Sequence, residues 1–122
     1  MVDSLHGLRA RINDFVTERD WAQFHTPKNL AMAMIVEAAE LVEHFQWDTI
    51  AESYELSSEK RQEVSHELAD TFVYLLRLAE VTGIDLIKAA NEKIALNAIK
   101  YPVEKAKGSN AKYTVYQEMS EK

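Results

Sequence analysis

The sequence predicts an all-α subunit of the four-helix-bundle type, and three observations carry that reading. Only 3 Gly and 2 Pro occur in 122 residues, so turn punctuation is sparse. Apolar residues recur at helical spacing over long stretches. Recognisable start and stop residues bracket four of those stretches. The length fits one domain with one modest core. Apolar residues at 47% and charged residues at 28% belong to a globular chain rather than a disordered one.

Each element has its own signal. Ser4 is placed to cap a first helix with Leu5, Leu8, Ile12, Phe15 and Val16 on one side. That helix fades near Arg19 and Asp20, ahead of an aromatic connector running from Trp21 to His25. Thr26-Pro27 then combines an N-cap with a first-turn proline. The second helix runs to about Trp47. Its apolar residues Leu30, Met34, Ala38, Leu41, Val42 and Phe45 cover over half the circumference, which calls for burial on several sides. Residues 48–57 show no strong pattern. Ser57 or Ser58 caps a third helix, with Glu59 suited to its positive end. That helix carries Val64, Leu68, Phe72, Leu75, Leu78 and Ala79 and stops at Gly83 in a left-handed cap, with Ile84 as its apolar contact. Asp85 opens the fourth helix, which ends at Tyr101-Pro102. Residues 1–102 therefore read as the helical domain. Residues 103–122 read as a polar tail, ordered only by contact with something else.

Composition also narrows the function classes. Without cysteine there is no disulfide framework and no thiolate metal site. No apolar run approaches the roughly 20 residues that cross a bilayer, and Met1 to Arg11 lacks the features of a signal peptide. The expectation is a cytoplasmic protein. A net charge of -6 disfavours polymeric nucleic acid and anionic membranes as partners. It leaves room for a small anion held through a metal or a few Lys.

Two acidic pairs, Glu37-x-x-Glu40 and Glu67-x-x-Asp70, lie inside these apolar helices. Residues three apart share a helix face, so each pair aims two carboxylates one way. Four acids brought together by two packed helices repel and lose hydration, which makes sense chiefly around a cation. An all-oxygen donor set suits Mg²⁺, with Mn²⁺ as a substitute. His44 follows Glu40 on its strip; Glu63 and Tyr74 flank the second pair. The same spacing is common on solvated acidic faces, but two pairs within apolar sectors favour the metal. On the fourth helix Lys93, Asn97 and Lys100 share a face. By itself that pattern is most simply a solvated stripe; beside a metal it would hold phosphate oxygens. Trp21, Phe24, His25 and Trp47 flank the second helix. They fit either ordinary packing or an aromatic slot for a planar base.

These residues together resemble the MazG-like, all-alpha nucleoside triphosphate pyrophosphohydrolases, in particular their dCTP pyrophosphatase branch. The resemblance runs through Arg19 to Leu30, Glu37 to Trp47, Glu67 to Leu75, Gly83 to Leu86 and Lys93 to Pro102. It implies Mg²⁺-dependent hydrolysis of a nucleoside triphosphate, a deoxynucleotide such as dCTP, to the monophosphate and pyrophosphate, in the cleaning of the nucleotide pool. It implies that Glu37, Glu40, Glu67 and Asp70 hold the metal, with Glu37 or Glu40 accepting the proton of the attacking water. Trp21, His25, Trp47, Tyr74 and Asn97 would line the base and sugar pocket, with Lys28, Lys93, Lys100 and Tyr101 facing phosphates. Family members are homodimers or homotetramers with sites at or near subunit contacts. Eukaryotic dCTP-preferring members carry polar residues where this chain has Ile12 and Ala95, which implies a broader or different base preference here.

Two other readings compete. A ferritin-like di-metal bundle needs two Glu-x-x-His elements, and only Glu63-Val64-Ser65-His66 is present. A non-catalytic interaction protein would use the wide apolar faces to bury a partner.

Overall fold

In a computed structural model the described residues are 4–121, all helix, turn or irregular chain, with no strand among them. The N-terminal segment Met1 to Arg11 and the tail 103–122 extend beyond the described residues at positions 1–3 and 122. The helices are α1 (Leu5–Glu18), α2 (Pro27–Glu43), α3 (Ile50–Ser53), α4 (Ser58–Thr82), α5 (Leu86–Lys100), α6 (Val103–Ala106) and α7 (Tyr113–Glu121). A one-turn 3₁₀ helix, Ala22–Phe24, joins α1 to α2. Among the described residues no helix is long and apolar enough to cross a membrane. The chain forms two compact units, Met1–Ile84 and Asp85–Lys122.

In the first unit α2 packs along α4, and α1 packs on α4. Ile12 and Val16 from α1, Leu30 from α2, and Val64, Leu76 and Ala79 from α4 form its buried core. Capping follows the sequence closely. Ser4 Oγ accepts from the Gly7 amide at 3.0 Å, Thr26 Oγ1 from Asn29 at 3.2 Å, and Ser57 Oγ from Lys60 at 3.2 Å. Thr26 fixes where α2 begins and hence the register of its acidic pair. Thr26→Ala should cost about 1 kcal/mol, read as a lower urea midpoint with an unchanged m-value.

Both long helices of this unit that end in a reversal use the same device. At Gly83 (φ 68) the Ile84 amide returns to the Ala79 carbonyl at 2.9 Å and the Gly83 amide to Glu80 at 3.2 Å, as expected of a left-handed cap. At the end of α1 the left-handed residue is Asp20 (φ 53), not a glycine. The Trp21 amide bonds Val16 at 3.0 Å and the Asp20 amide bonds Thr17 at 3.1 Å. The accompanying apolar contact is Trp21 edge-on to Phe15, ring centres 5.7 Å apart. This cap turns Trp21 back over α1.

Three departures from expectation have simple causes. α2 ends at Glu43 rather than near Trp47, and its last turns continue as tighter hydrogen-bonded turns through Asp48. The connection contains α3, capped by Thr49; four residues are too few for a periodic signal. Most apolar side chains of α2 stay open in the single chain, Ile35 at 63% and Val42 at 56% exposed, and only Leu30 is buried.

In the second unit Asp85 Oδ1 caps α5, accepting from Lys88 at 3.0 Å. The segment read as a polar tail contains α6 and α7. Tyr101, at the end of α5, meets the rings of Tyr113 and Tyr116 edge-on at 6.3 and 5.9 Å. Tyr116 is buried.

Candidate active site: a carboxylate triad on an aromatic cavity

α2 and α4 bring the two acidic pairs together. Glu37, Glu67 and Asp70 each offer a carboxylate oxygen within 4.8 Å of the others. Glu40, one turn further along α2, stands outside that tight triad but adjoins Glu37 and Glu67. Burial, then the negative charges of Glu40 and Asp70, push Glu37 up to about 7. Glu67 is raised as well, by burial first and then by Glu40.

Glu67 Oε2 is buried without a hydrogen-bond partner. Its neighbours are the carboxyls of Glu37 and Glu40, which have a proton to donate only when neutral. A buried acceptor among acceptors is costly. A divalent cation would satisfy it, and an oxygen-only donor set fits a hard one.

Glu37 and Asp70 also line a cavity of about 560 Å³ with Ile12, Phe15, Trp21, His25, Tyr74 and Arg77. Its size lies within the usual range for a small-molecule site. Phe15, Trp21 and Tyr74 supply flat apolar walls. On α4, Asp70, Val73, Tyr74 and Arg77 form one lining stripe, as their helical spacing requires.

Behind that stripe runs a polar chain absent from the sequence-based expectations. Arg77 Nε donates to His25 Nδ1 at 3.1 Å, and Arg77 Nη1 donates to Asn13 Oδ1 at 3.0 Å. Asn13 Nδ2 donates to Glu80 Oε1 at 3.4 Å. Glu80 also accepts from Arg9, and that hydrogen bond above all holds its carboxyl below the ordinary range. Burial, then the Arg77 charge, lowers the pKa of His25. The signal for Arg77 was its spacing, three residues beyond Tyr74 and seven beyond Asp70.

The family model for MazG-like proteins matches residues 32–115. The chain belongs to the MazG-like family. Among its relatives, dCTP pyrophosphatase 1 of Rattus norvegicus and that of Homo sapiens are each 39% identical over 113 residues, 91% of this chain. The chain spans 66% of the length of those two proteins. A crystal structure of a pyrophosphatase from Archaeoglobus fulgidus aligns with a TM-score of 0.77 and 38% identity, over 84% of this chain and 95% of that one.

Lys28 and Trp47, which the MazG-like resemblance also singled out, do not line this cavity. Lys28 is exposed in the first turn of α2. Trp47 is 88% exposed and lines an open groove with His44, Asp48 and Lys60. Lys60 Nζ bridges to Asp48 Oδ2 at 2.9 Å. Glu63 and His66 line a neighbouring groove with Glu40, Glu43, His44 and Glu67. Lys93, Asn97, Lys100 and Tyr101 belong to the second unit, where the Lys100 ammonium sits 4.9 Å above the Tyr113 ring.

Proposed function

We propose that the chain is a pyrophosphohydrolase that converts a nucleoside triphosphate and water to the monophosphate and pyrophosphate. Its substrate is a deoxynucleoside triphosphate, the class to which dCTP belongs, and its role is to clear nucleotides from the pool. The observation that carries the reading is the carboxylate triad, with its orphaned buried oxygen, on the wall of an aromatic cavity. The names of the relatives point the same way.

Glu37, Glu67 and Asp70 would hold Mg²⁺, or Mn²⁺ in its place, with Glu40 beside them. When bound, the ion supplies charge neutralisation of the triphosphate and Lewis-acid polarisation at phosphorus. Glu40, outside the triad, is free to take the proton from a water that attacks the α-phosphorus. The bond to the bridging oxygen then breaks and pyrophosphate leaves. Trp21 and Tyr74 flank the base, and His25 contacts its edge. Lys28, Lys93, Lys100 and Tyr101 serve phosphates, while Trp47 and Asn97 complete the base and sugar contacts.

Some of these groups reach the site from a neighbouring subunit. Open apolar side chains such as Ile50 (83%) and Ile99 (76%) favour a homodimer or homotetramer. The decisive assay is Mg²⁺-dependent pyrophosphate release from the canonical and several modified triphosphates, with sedimentation to read the assembly. Equimolar monophosphate and pyrophosphate are expected. Absence of release from every nucleotide, with either metal, would transfer the lead to a non-catalytic interaction protein.

A further inference from the structure

We propose that Arg77 and His25 form the base-selecting end of the cavity, and that they favour a base with a carbonyl rather than an amino group at its far edge. The inference rests on the nucleotide reading of the site and goes beyond it by naming the substrate class.

Position comes first. Asp70 marks the metal end of the lining stripe on α4. Arg77 lies seven residues on, about 10 Å along the helix axis at 1.5 Å per residue. Tyr74 falls between them on the same stripe. That distance matches the reach from an α-phosphate across the sugar to the edge of the base opposite its glycosidic bond. In a pyrimidine that edge carries the C4 substituent; in a purine it carries the C6 substituent.

Hydrogen-bond direction comes second, and chemistry fixes it at every link. Arginine only donates, so His25 Nδ1, 3.1 Å from Arg77 Nε, must be the bare nitrogen. The imidazole proton therefore sits on Nε2. Asn13 must turn its carbonyl to Arg77 and its amide nitrogen to Glu80, which can only accept. Glu80 is anchored in turn by Arg9. The guanidinium is thus held by two of its five N–H groups, and Arg77 lines the cavity.

The far end consequently offers donors: the remaining Arg77 N–H groups and His25 Nε2–H. The carboxylates of the cavity, Glu37 and Asp70, are at the other end, and the Tyr74 hydroxyl, which can donate or accept, lies on the stripe between. Ile12, which lines the same cavity, adds no polar atom. An oxo group meets these donors as an acceptor. An amino group would set donor against donor and leave both unpaired, the arrangement by which a polar pocket rejects the wrong substrate. Uracil and hypoxanthine carry the oxo group where cytosine and adenine carry the amine. Their triphosphates arise from dCTP and dATP by hydrolytic deamination, which is the class of reaction that would supply this substrate.

The test compares matched pairs, dUTP with dCTP and dITP with dATP, as kcat/KM ratios. Binding of dUMP and dCMP without metal is measured in parallel by calorimetry. Wild-type protein should prefer the oxo member of each pair by about ten- to a hundredfold and bind dUMP more tightly than dCMP. In Arg77→Met both ratios should collapse toward one, with the oxo substrates losing most. His25→Phe, which keeps the ring and removes the donor, should shrink them in part and serves if Arg77→Met does not fold. A wild-type preference for dCTP and dCMP, or equal losses for oxo and amino substrates in the folded variants, would overturn the inference. If no triphosphate is hydrolysed yet dUMP binds more tightly than dCMP and Arg77→Met erases the difference, the hydrolase reading fails and the base-selecting role stands.

Discussion

Glu67→Gln should abolish nucleotide hydrolysis while leaving the helices intact. Glu67 is one of three carboxylates with oxygens within 4.8 Å, and one of its oxygens is buried with no hydrogen-bond partner. The amide is nearly isosteric but a poorer ligand for a hard cation. Loss of several kcal/mol of transition-state stabilisation corresponds to a fall in kcat of about 10³ or more. The same substitution removes one of four mutually repelling charges and adds an N–H donor among acceptors. Without metal, the variant should therefore melt at or above the wild-type temperature. Asp70→Asn, at the exposed member of the triad, should lose turnover similarly. Its metal-free stability should gain less, because water already screens that charge. The measurement is a steady-state pyrophosphate assay beside metal-free thermal unfolding. Turnover within tenfold of wild type would remove Glu67 from the metal site, and collapse of the fold would make the acids structural.

The sequence made the frame of this site legible because helix starts and stops are short-range chemistry. Thr26-Pro27 and Ser57 set where α2 and α4 begin, and the i, i+3 rule then places each acidic pair on one face. That Glu37, Glu67 and Asp70 form the tight group while Glu40 stands beside it depends on the rotation of α2 against α4, which no local pattern encodes. The same holds for Asn13 and Arg77. An arginine between Leu76 and Leu78 reads as one more charge on a long helix until His25 is brought across to it from 52 residues away. The cap at Gly83 was readable because glycine advertises a positive φ. Its counterpart at Asp20 was not, because Asp adopts that conformation only when its surroundings select it. The openness of Phe15, Leu68 and Phe72, each 42–53% exposed, has another origin. Periodicity says that a face is apolar, and whether the same chain or a second copy covers it is a tertiary matter.

The carboxylate cluster should also set an unusual pH dependence, and its sign follows from the direction of each shift. Glu37 rises from an ordinary 4.5 to about 7, and Glu67 moves the same way. Between those values the metal-free native state holds protons that the unfolded chain has released. Its stability must then fall as pH climbs from about 4.5 to about 7, and the loss is complete above that. His25 opposes this: its lowered pKa makes the native state release a proton early, so its contribution is present above 6.5 and lost on acidification. Glu80, held below its ordinary value by Arg9, contributes above 4.5 and loses that contribution only at lower pH. The rise of Glu37 to about 7, with Glu67 moving the same way, sets a decline between pH 5 and pH 7 that the histidine opposes. A divalent cation should reverse it, because binding requires the carboxylates ionised and displaces their protons. At a hundredfold excess over its dissociation constant, Mg²⁺ should add about 2.7 kcal/mol, on the order of 10 °C for a domain of this size. At a fixed Mg²⁺ concentration the increment should be larger at pH 8 than at pH 5, because protons compete for the site and weaken binding at the lower pH. Glu37→Gln should flatten both the metal-free decline and the pH dependence of the Mg²⁺ shift. A Mg²⁺ shift that is absent, or the same at both pH values, would mean that these carboxyls are not what the ion binds.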